Sequence, residues 1–301
     1  MKFEFQPLGP FDLLHQNKFF GNWLTLDPSA TTIVMAFPVE GWRESVVVTL
    51  KQNSSGRIQG EVYGTAEVAA QAREQALACL SLDVDGTDWP AVGQHDSFFG
   101  TLQNQYKYLR PVLFHSPYEA AAGFIIGHRI SIKQRQTFMQ HMAQDLGEKI
   151  IVDGQTFHAF PKPQVLTTLG EYRGLNLQKV ARLQALAHAA LEGWLDRAHL
   201  RSLRIEDALQ KLLTLPGVGP FFAQGILHRG AGIVDDITSD DLTQTAVQKA
   251  YQLDHLPSHA EVNQIAEVWR PYRMWVNVLL HIWLRQNIGL PQARQRVATP
   301  R

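Results

Sequence analysis

"LPGVGPFFAQG", Leu215–Gly225, lies between two apolar helical runs, and its reading decides the fold. The run before it, "RIEDALQKLLT", carries helical spacing and stops short of Leu215. Pro216 cannot continue that helix. Gly217 and Gly219 can take the positive φ that a tight reversal needs. Pro220 has its φ preset for the first position of the next helix. These residues predict a helix, a hairpin and a second helix. At the tip, backbone N–H groups and a helix N-terminus face outward, an arrangement that binds phosphate. A plain corner between two helices uses the same Gly and Pro punctuation, so the hairpin alone leaves both readings open.

The second helix, "PFFAQGILHRG", is expected to end at Gly230 or Gly232. "IVDDITSDDLTQTAVQ" follows, with Asp240 and Asp241 where a new helix begins. Aspartate is a favoured N-cap and suits the positive end of the helix dipole. One aspartate can cap while the other points into a cleft.

Further out, residues up to about 105 read as strands with a few helices. "TTIVMAFPV" and "ESVVVTLKQ" are rich in β-branched residues, "NSSGR" reads as a turn and "IQGEVYG" as the returning strand. "AEVAAQAREQALACLSL" reads as a helix, so residues 1–105 form an α+β unit, an antiparallel sheet with helices. After that the β signal stops. "SPYEAAAGFIIGHRISIKQRQTFMQHMAQDLG" reads as one helix capped by Ser116 and ending at Gly147. Residues 106–288 read as an all-helical domain, and 289–301 as a polar tail.

Composition bounds the function. The chain has 301 residues, 45% hydrophobic and 19% charged, which predicts a sizeable core. Lys plus Arg number 28 and Asp plus Glu number 28, so net attraction does not coat this chain on nucleic acid. A local grip through backbone N–H groups remains open. The single cysteine, Cys79, excludes an internal disulfide and a four-cysteine iron–sulfur cluster, and reads as a packed core residue. No secretory leader and no run of roughly 20 apolar residues is seen, so a cytoplasmic, non-membrane protein is expected. The twelve histidines are scattered without metal-ligand spacing, and His281 in "LLHIW" reads as a hydrogen-bonded core residue. Cofactors are not expected.

"LPGVGPFFAQGILHRG…DDITSDDLTQTAVQ" resembles the helix-hairpin-helix DNA glycosylases, and among them the bacterial DNA-3-methyladenine glycosylase II family. "FHSPYEAAAGFIIGHRISIKQ" and "RPYRMWVNVLLHIWL" are similar to two further helices of that family. The resemblance spans nearly the whole chain, strongly from Phe114 to Trp283 and mostly in architecture before about residue 100. It implies an all-helical glycosylase domain behind the N-terminal sheet domain, acting as a monomer on double-stranded DNA that contains damaged bases.

The resemblance also implies roles. Asp241 matches the catalytic carboxylate, with Asp240 a cap or supporting group. Cleaving a base from deoxyribose passes through an oxocarbenium-like sugar, whose charge a carboxylate stabilises. Relatives that also cut the strand carry a lysine where this chain has Phe221, and without an amine no Schiff base forms there. A monofunctional enzyme acting on alkylated purines is expected. Action on deaminated or oxidised bases, or damage binding without catalysis, are the alternatives. Phe221 and Trp283 match positions that line the base pocket, and plain helix core is the competing reading for both. Gly225 is expected to widen that pocket. Arg129, beside His128, takes the place of the residue that fills the hole left by the flipped base. The family's usual "GQQIS" is "GHRIS" here, and a solvated helix end is the alternative. The hairpin Leu215, Gly217, Val218 and Gly219 would hold DNA phosphate. Carbonyls of Leu213, Leu215 and Val218 would hold a structural Na+ or K+.

Overall fold

The computed structural model describes residues 1–16, 31–238 and 240–287. The polar tail at 289–301 lies outside the described residues. The strands are β1 (Lys2–Phe5), β2 (Ile33–Pro38), β3 (Ser45–Gln52), β4 (Ile58–Tyr63), β5 (Lys149–Val152) and β6 (Gln155–His158). The principal helices are α1 (Ala66–Cys79), α2 (Ser97–Gln105), α3 (Pro117–Gly127), α4 (Ile132–Leu146), α5 (Leu177–Leu191), α6 (Arg197–Ser202), α7 (Ile205–Leu213), α8 (Pro220–Gly225), α9 (Asp241–Ala250) and α10 (Arg273–Asn287). The result is an α+β fold.

Contacts divide the chain into two compact units. The first joins Met1–Pro90 to Lys107–Ile233, and the second joins Ala91–Tyr106 to Val234–Arg301.

In the first unit, β1–β4 form an antiparallel sheet in the order β1-β4-β3-β2. Ile33, Met35 and Phe37 alternate inward along β2, as a half-buried strand requires. Val48 pairs with Val62 across β3 and β4, on the buried face. The "NSSGR" turn is held by Asn53, whose Oδ1 accepts the N–H groups of Ser55 and Arg57. α1 supplies Val68, Ala69, Ala72 and Ala76 to the same core, where its small residues permit close approach to the sheet. A second core is built from α3, α5 and the helices that follow. Trp42 ties sheet to helices, its Nε1 donating to the Ala190 carbonyl at 3.1 Å. Cys79 is buried and its thiol donates to the Leu113 carbonyl. No described helix is long and apolar enough to cross a membrane.

Two readings of the sequence need correction here. The β signal does not stop at 105: β5 and β6 pair antiparallel around Asp153-Gly154, both at positive φ. "VDGQ" between alternating apolar residues is a strong two-residue hairpin signal, and it sits inside a stretch dominated by helices. The single helix from Ser116 to Gly147 is two. Ser131 forms a capping box with Gln134, and a capping residue must be extended, so α3 cannot run into α4. Arg129 completes the break at φ +64°.

In the second unit, the buried Asp96 carboxylate organises the packing. Its Oδ1 accepts the Phe99 N–H and caps α2, while Oδ2 accepts Trp269 Nε1 at 2.9 Å and the Tyr251 hydroxyl.

A buried carboxyl in the first unit makes stability depend on pH. Glu40 accepts the Arg197 backbone N–H at 3.1 Å and donates its own N–H to Gln75. Burial pushes its carboxyl up to about 7, against the pull of the Arg197 and Arg201 guanidiniums. The unfolded chain ionises the group near pH ~4.3. Between those values the folded state holds a proton that the unfolded state has released, so stability falls as pH rises from about 4.5 through about 7. Glu40→Gln keeps the acceptor and removes the ionisation. In urea melts it is expected to flatten this slope, gaining on the parent by roughly 1–3 kcal/mol at pH 8 relative to pH 5.

Candidate active site

The hairpin is a four-residue turn from Leu215 to Val218, closed by the Val218 N–H on the Leu215 carbonyl at 3.0 Å. Pro216 and Gly217 fill the central positions, with Gly217 at φ +83°, as a type II turn demands. Leu215 and Val218 are buried anchors, while Pro216, Gly217, Gly219 and Pro220 are exposed. Gly219 caps α8 without a side chain, and nothing lies within 4 Å of where its Cβ would be. The first helical bond of α8 runs from Ala223 N–H to the Gly219 carbonyl. The Phe221 and Phe222 N–H groups belong to the first turn, where a helix offers no partner.

The two phenylalanines do different work. Phe222 is half-buried and stacks on Phe124, with centroids 5.3 Å apart. Phe221 is 53% exposed, so it is not core. After α8 the backbone widens into a π-helical turn, Ile226–Ala231, which Gly232 ends at φ +76°. At Gly225 the space is shared with a neighbouring ring. A Cβ there would meet the Phe124 ring at 2.5 Å, because Phe124 occupies the space that the missing side chain leaves.

His128 and Arg129 are both exposed in the α3–α4 break. The His128 ring meets Phe222 edge-to-face at 5.9 Å. A groove of about 380 Å³ opens beside them, lined by His128, Arg129, Ile130, Asn176, Gln178, Lys179 and Arg182. No carboxylate lines it. Lys179 Nζ donates to the carbonyls of Ile126 at 2.7 Å and His128 at 3.0 Å, which fixes the end of α3. Burial and the nearby Arg182 hold the Lys179 amine below its usual range. Burial, then Arg129, Lys179 and Arg182, lower His128 likewise. The Arg182 side chain also lies against Gly217, where a Cβ would meet its Cδ at 2.5 Å. The α3–α4 break and the hairpin are thus joined by one basic surface. Sequence reading missed Lys179 and Arg182, although "KVAR" places them three apart on one helix face.

The second unit carries Asp240, Asp241 and Trp283. Asp240 is the N-cap of α9, its Oδ1 accepting the Thr243 N–H at 2.8 Å. Asp241 is the first helical residue and is exposed. Its carbonyl accepts the Thr245 hydroxyl, which leaves the carboxylate out of that contact. Trp283 is half-buried and meets Phe98 of α2 edge-to-face at 5.1 Å. Among the described residues, no group of three or more His, Cys, Asp or Glu could hold a metal ion.

Comparison with known proteins bears on this arrangement. No family model matches the chain. DNA-3-methyladenine glycosylase 2 of Escherichia coli (strain K12) is 29% identical over 174 residues, 56% of this chain and 58% of that protein. A Bacillus subtilis (strain 168) protein named with the DNA-3-methyladenine glycosylases is 25% identical over 178 residues, 57% of this chain and 60% of its own length. The chain therefore spans about three-fifths of the curated relatives it matches. Among solved structures, a 3-methyladenine DNA glycosylase from Archaeoglobus fulgidus superposes with a TM-score of 0.80 at 19% identity, covering 96% of this chain and 100% of that one. The chain shares the fold of that solved glycosylase and is similar in sequence to the curated DNA-3-methyladenine glycosylases. The same fold is seen in the 8-oxoguanine glycosylase/lyase of Clostridium acetobutylicum bound to double-stranded DNA, with a TM-score of 0.70 at 16% identity and coverage of 95% and 98%.

The Lys179 clamp can be tested directly. Lys179→Met leaves the Ile126 and His128 carbonyls without their donor. Loss of such bonds costs about 1 kcal/mol. Hydrogen exchange across residues 127–131 is expected to quicken roughly fivefold, while exchange in α9 stays unchanged.

Proposed function

We propose that this chain is a monofunctional DNA glycosylase that removes alkylated purines of the 3-methyladenine and 7-methylguanine type from duplex DNA, leaving an abasic site. One observation carries the reading. Of two adjacent aspartates at the start of α9, Asp240 takes the cap and Asp241 keeps an exposed carboxylate. The names of the curated relatives support the substrate class.

In this mechanism the hairpin N–H groups hold the DNA backbone, with Arg182 and Lys179 adding local positive charge. Flipping the damaged nucleotide costs a few kcal/mol. Arg129 fills the gap, with His128 beside it. Its left-handed backbone, unusual for a residue other than glycine, fits a residue held out of the helix for that use. N-alkylated purines are cationic, and the faces of Phe221 and Trp283 attract a cation by roughly 0.5–2 kcal/mol. The Asp241 carboxylate then stabilises the positive sugar and orients the attacking water. Phe221 has no amine, so the sugar is not captured as a Schiff base and the strand is not cut. A monovalent cation would sit on the carbonyls of Leu213, Leu215 and Val218. The Leu215 carbonyl accepts one bond from Val218 and keeps a second lone pair for it. The protein would act as a cytoplasmic monomer.

Methylated duplex DNA tests the proposal. The parent protein should release methylpurines and leave alkali-labile sites, and Asp241→Asn should lose roughly 10²–10³ in rate with DNA binding kept. Equal activity in the two would overturn the assignment of Asp241. Release only from deaminated or oxidised duplexes would move the substrate class. Binding without release from any lesion would make the chain a damage sensor. Borohydride should trap no covalent adduct, and a trapped adduct would refute monofunctional action.

A further inference from the structure

Behind the Asp240 cap, the fully buried Thr243 hydroxyl has four polar neighbours. They are Thr238 Oγ1 at 2.5 Å, His281 Nε2 at 3.0 Å, Asn277 Oδ1 at 3.2 Å and Asp240 Oδ2 at 3.3 Å. A hydroxyl donates once and accepts twice. The Asn277 oxygen and the Asp240 carboxylate only accept, so the single Thr243 hydrogen is shared between them. The other two neighbours must then donate. Thr238 is able to, because its own oxygen accepts from Asn277 Nδ2 at 2.8 Å. That leaves His281, which completes the count as an Nε2–H donor. The tautomer follows from counting hydrogens and is assigned on that ground.

We infer that Thr243 and His281 are positioning residues for the Asp241 carboxylate, acting through the Asp240 cap. The inference rests on Asp241 being the catalytic group. The Asp240 carboxylate bonds the Thr243 backbone with one oxygen and the Thr243 hydroxyl with the other. That hydroxyl is in turn held from α10 by Asn277 and His281. The first turn of α9, which carries Asp241, is therefore tied to α10 by side chains rather than by helix geometry alone. Without the hydroxyl, Asp240 keeps its backbone bond and the attraction of Arg285 on α10, and loses its hydrogen-bonded tie to that helix. Asp241 would then sample more positions beside the sugar, with no contact to DNA removed.

The test uses the full chain. Thr243→Val should lower the single-turnover rate on methylated duplex at least tenfold, with DNA affinity within twofold of the parent. Thr243→Ser restores the hydroxyl and should recover most of the rate. His281→Gln offers an N–H donor and should keep more activity than His281→Leu. Melting temperatures of all four separate positioning from unfolding. A fully active, folded Thr243→Val overturns the inference while leaving the glycosylase reading intact. If the parent releases no base, that reading fails. Two further measurements then judge the network by itself. Nitrogen NMR should place the His281 proton on Nε2, and exchange at Asp241–Thr245 should quicken in Thr243→Val. A proton on Nδ1 alone, or unchanged exchange, would sink the network.

Discussion

The start of every α-helix leaves N–H groups without an internal partner, and this chain meets that demand in three ways. At Ser131 the side chain and Gln134 satisfy them in a capping box, and the extended backbone this requires splits one long apolar run into α3 and α4. At Asp240 a carboxylate satisfies them, so the neighbouring Asp241 is not consumed by the helix. At Gly219 no side chain is available, and the first turn of α8 stays open to an external acceptor. Break, carboxylate and hairpin are thus three outcomes of one constraint.

Much of this was legible because it is local. Pro216, Gly217 and Pro220 dictate their own backbone, and Ser116 and Pro117 mark the start of α3 without reference to anything distant. The adjacent pair Asp240 and Asp241 showed where a helix begins. Which of the two caps was not legible, since either aspartate can play the part. The α3–α4 break was hidden because Ile130 and Ile132 continue the apolar spacing across it, while the Ser131–Gln134 box reads as two polar residues on a helix surface. β5 and β6 were overlooked for the opposite reason: their turn signal is strong, and the surrounding composition is helical.

Features that depend on residues far apart in the chain had no local trace. Segment 91–106 belongs with residues beyond 233 because Asp96 bonds Trp269 and Tyr251, and nothing within the segment announces those partners. Zero net charge likewise concealed a groove that gathers Arg129, Lys179 and Arg182 without a carboxylate. Totals describe a whole surface, whereas an anionic ligand responds to the field within about 8–10 Å.

The fit of Phe124 into the space at Gly225 carries a consequence for how such a site changes over generations. A side chain at 225 therefore requires the Phe124 ring to shift or shrink. A lineage that acquires a side chain at 225 must move the Phe124 ring aside or surrender part of its volume. Packing thus couples the two positions ahead of any selection on chemistry.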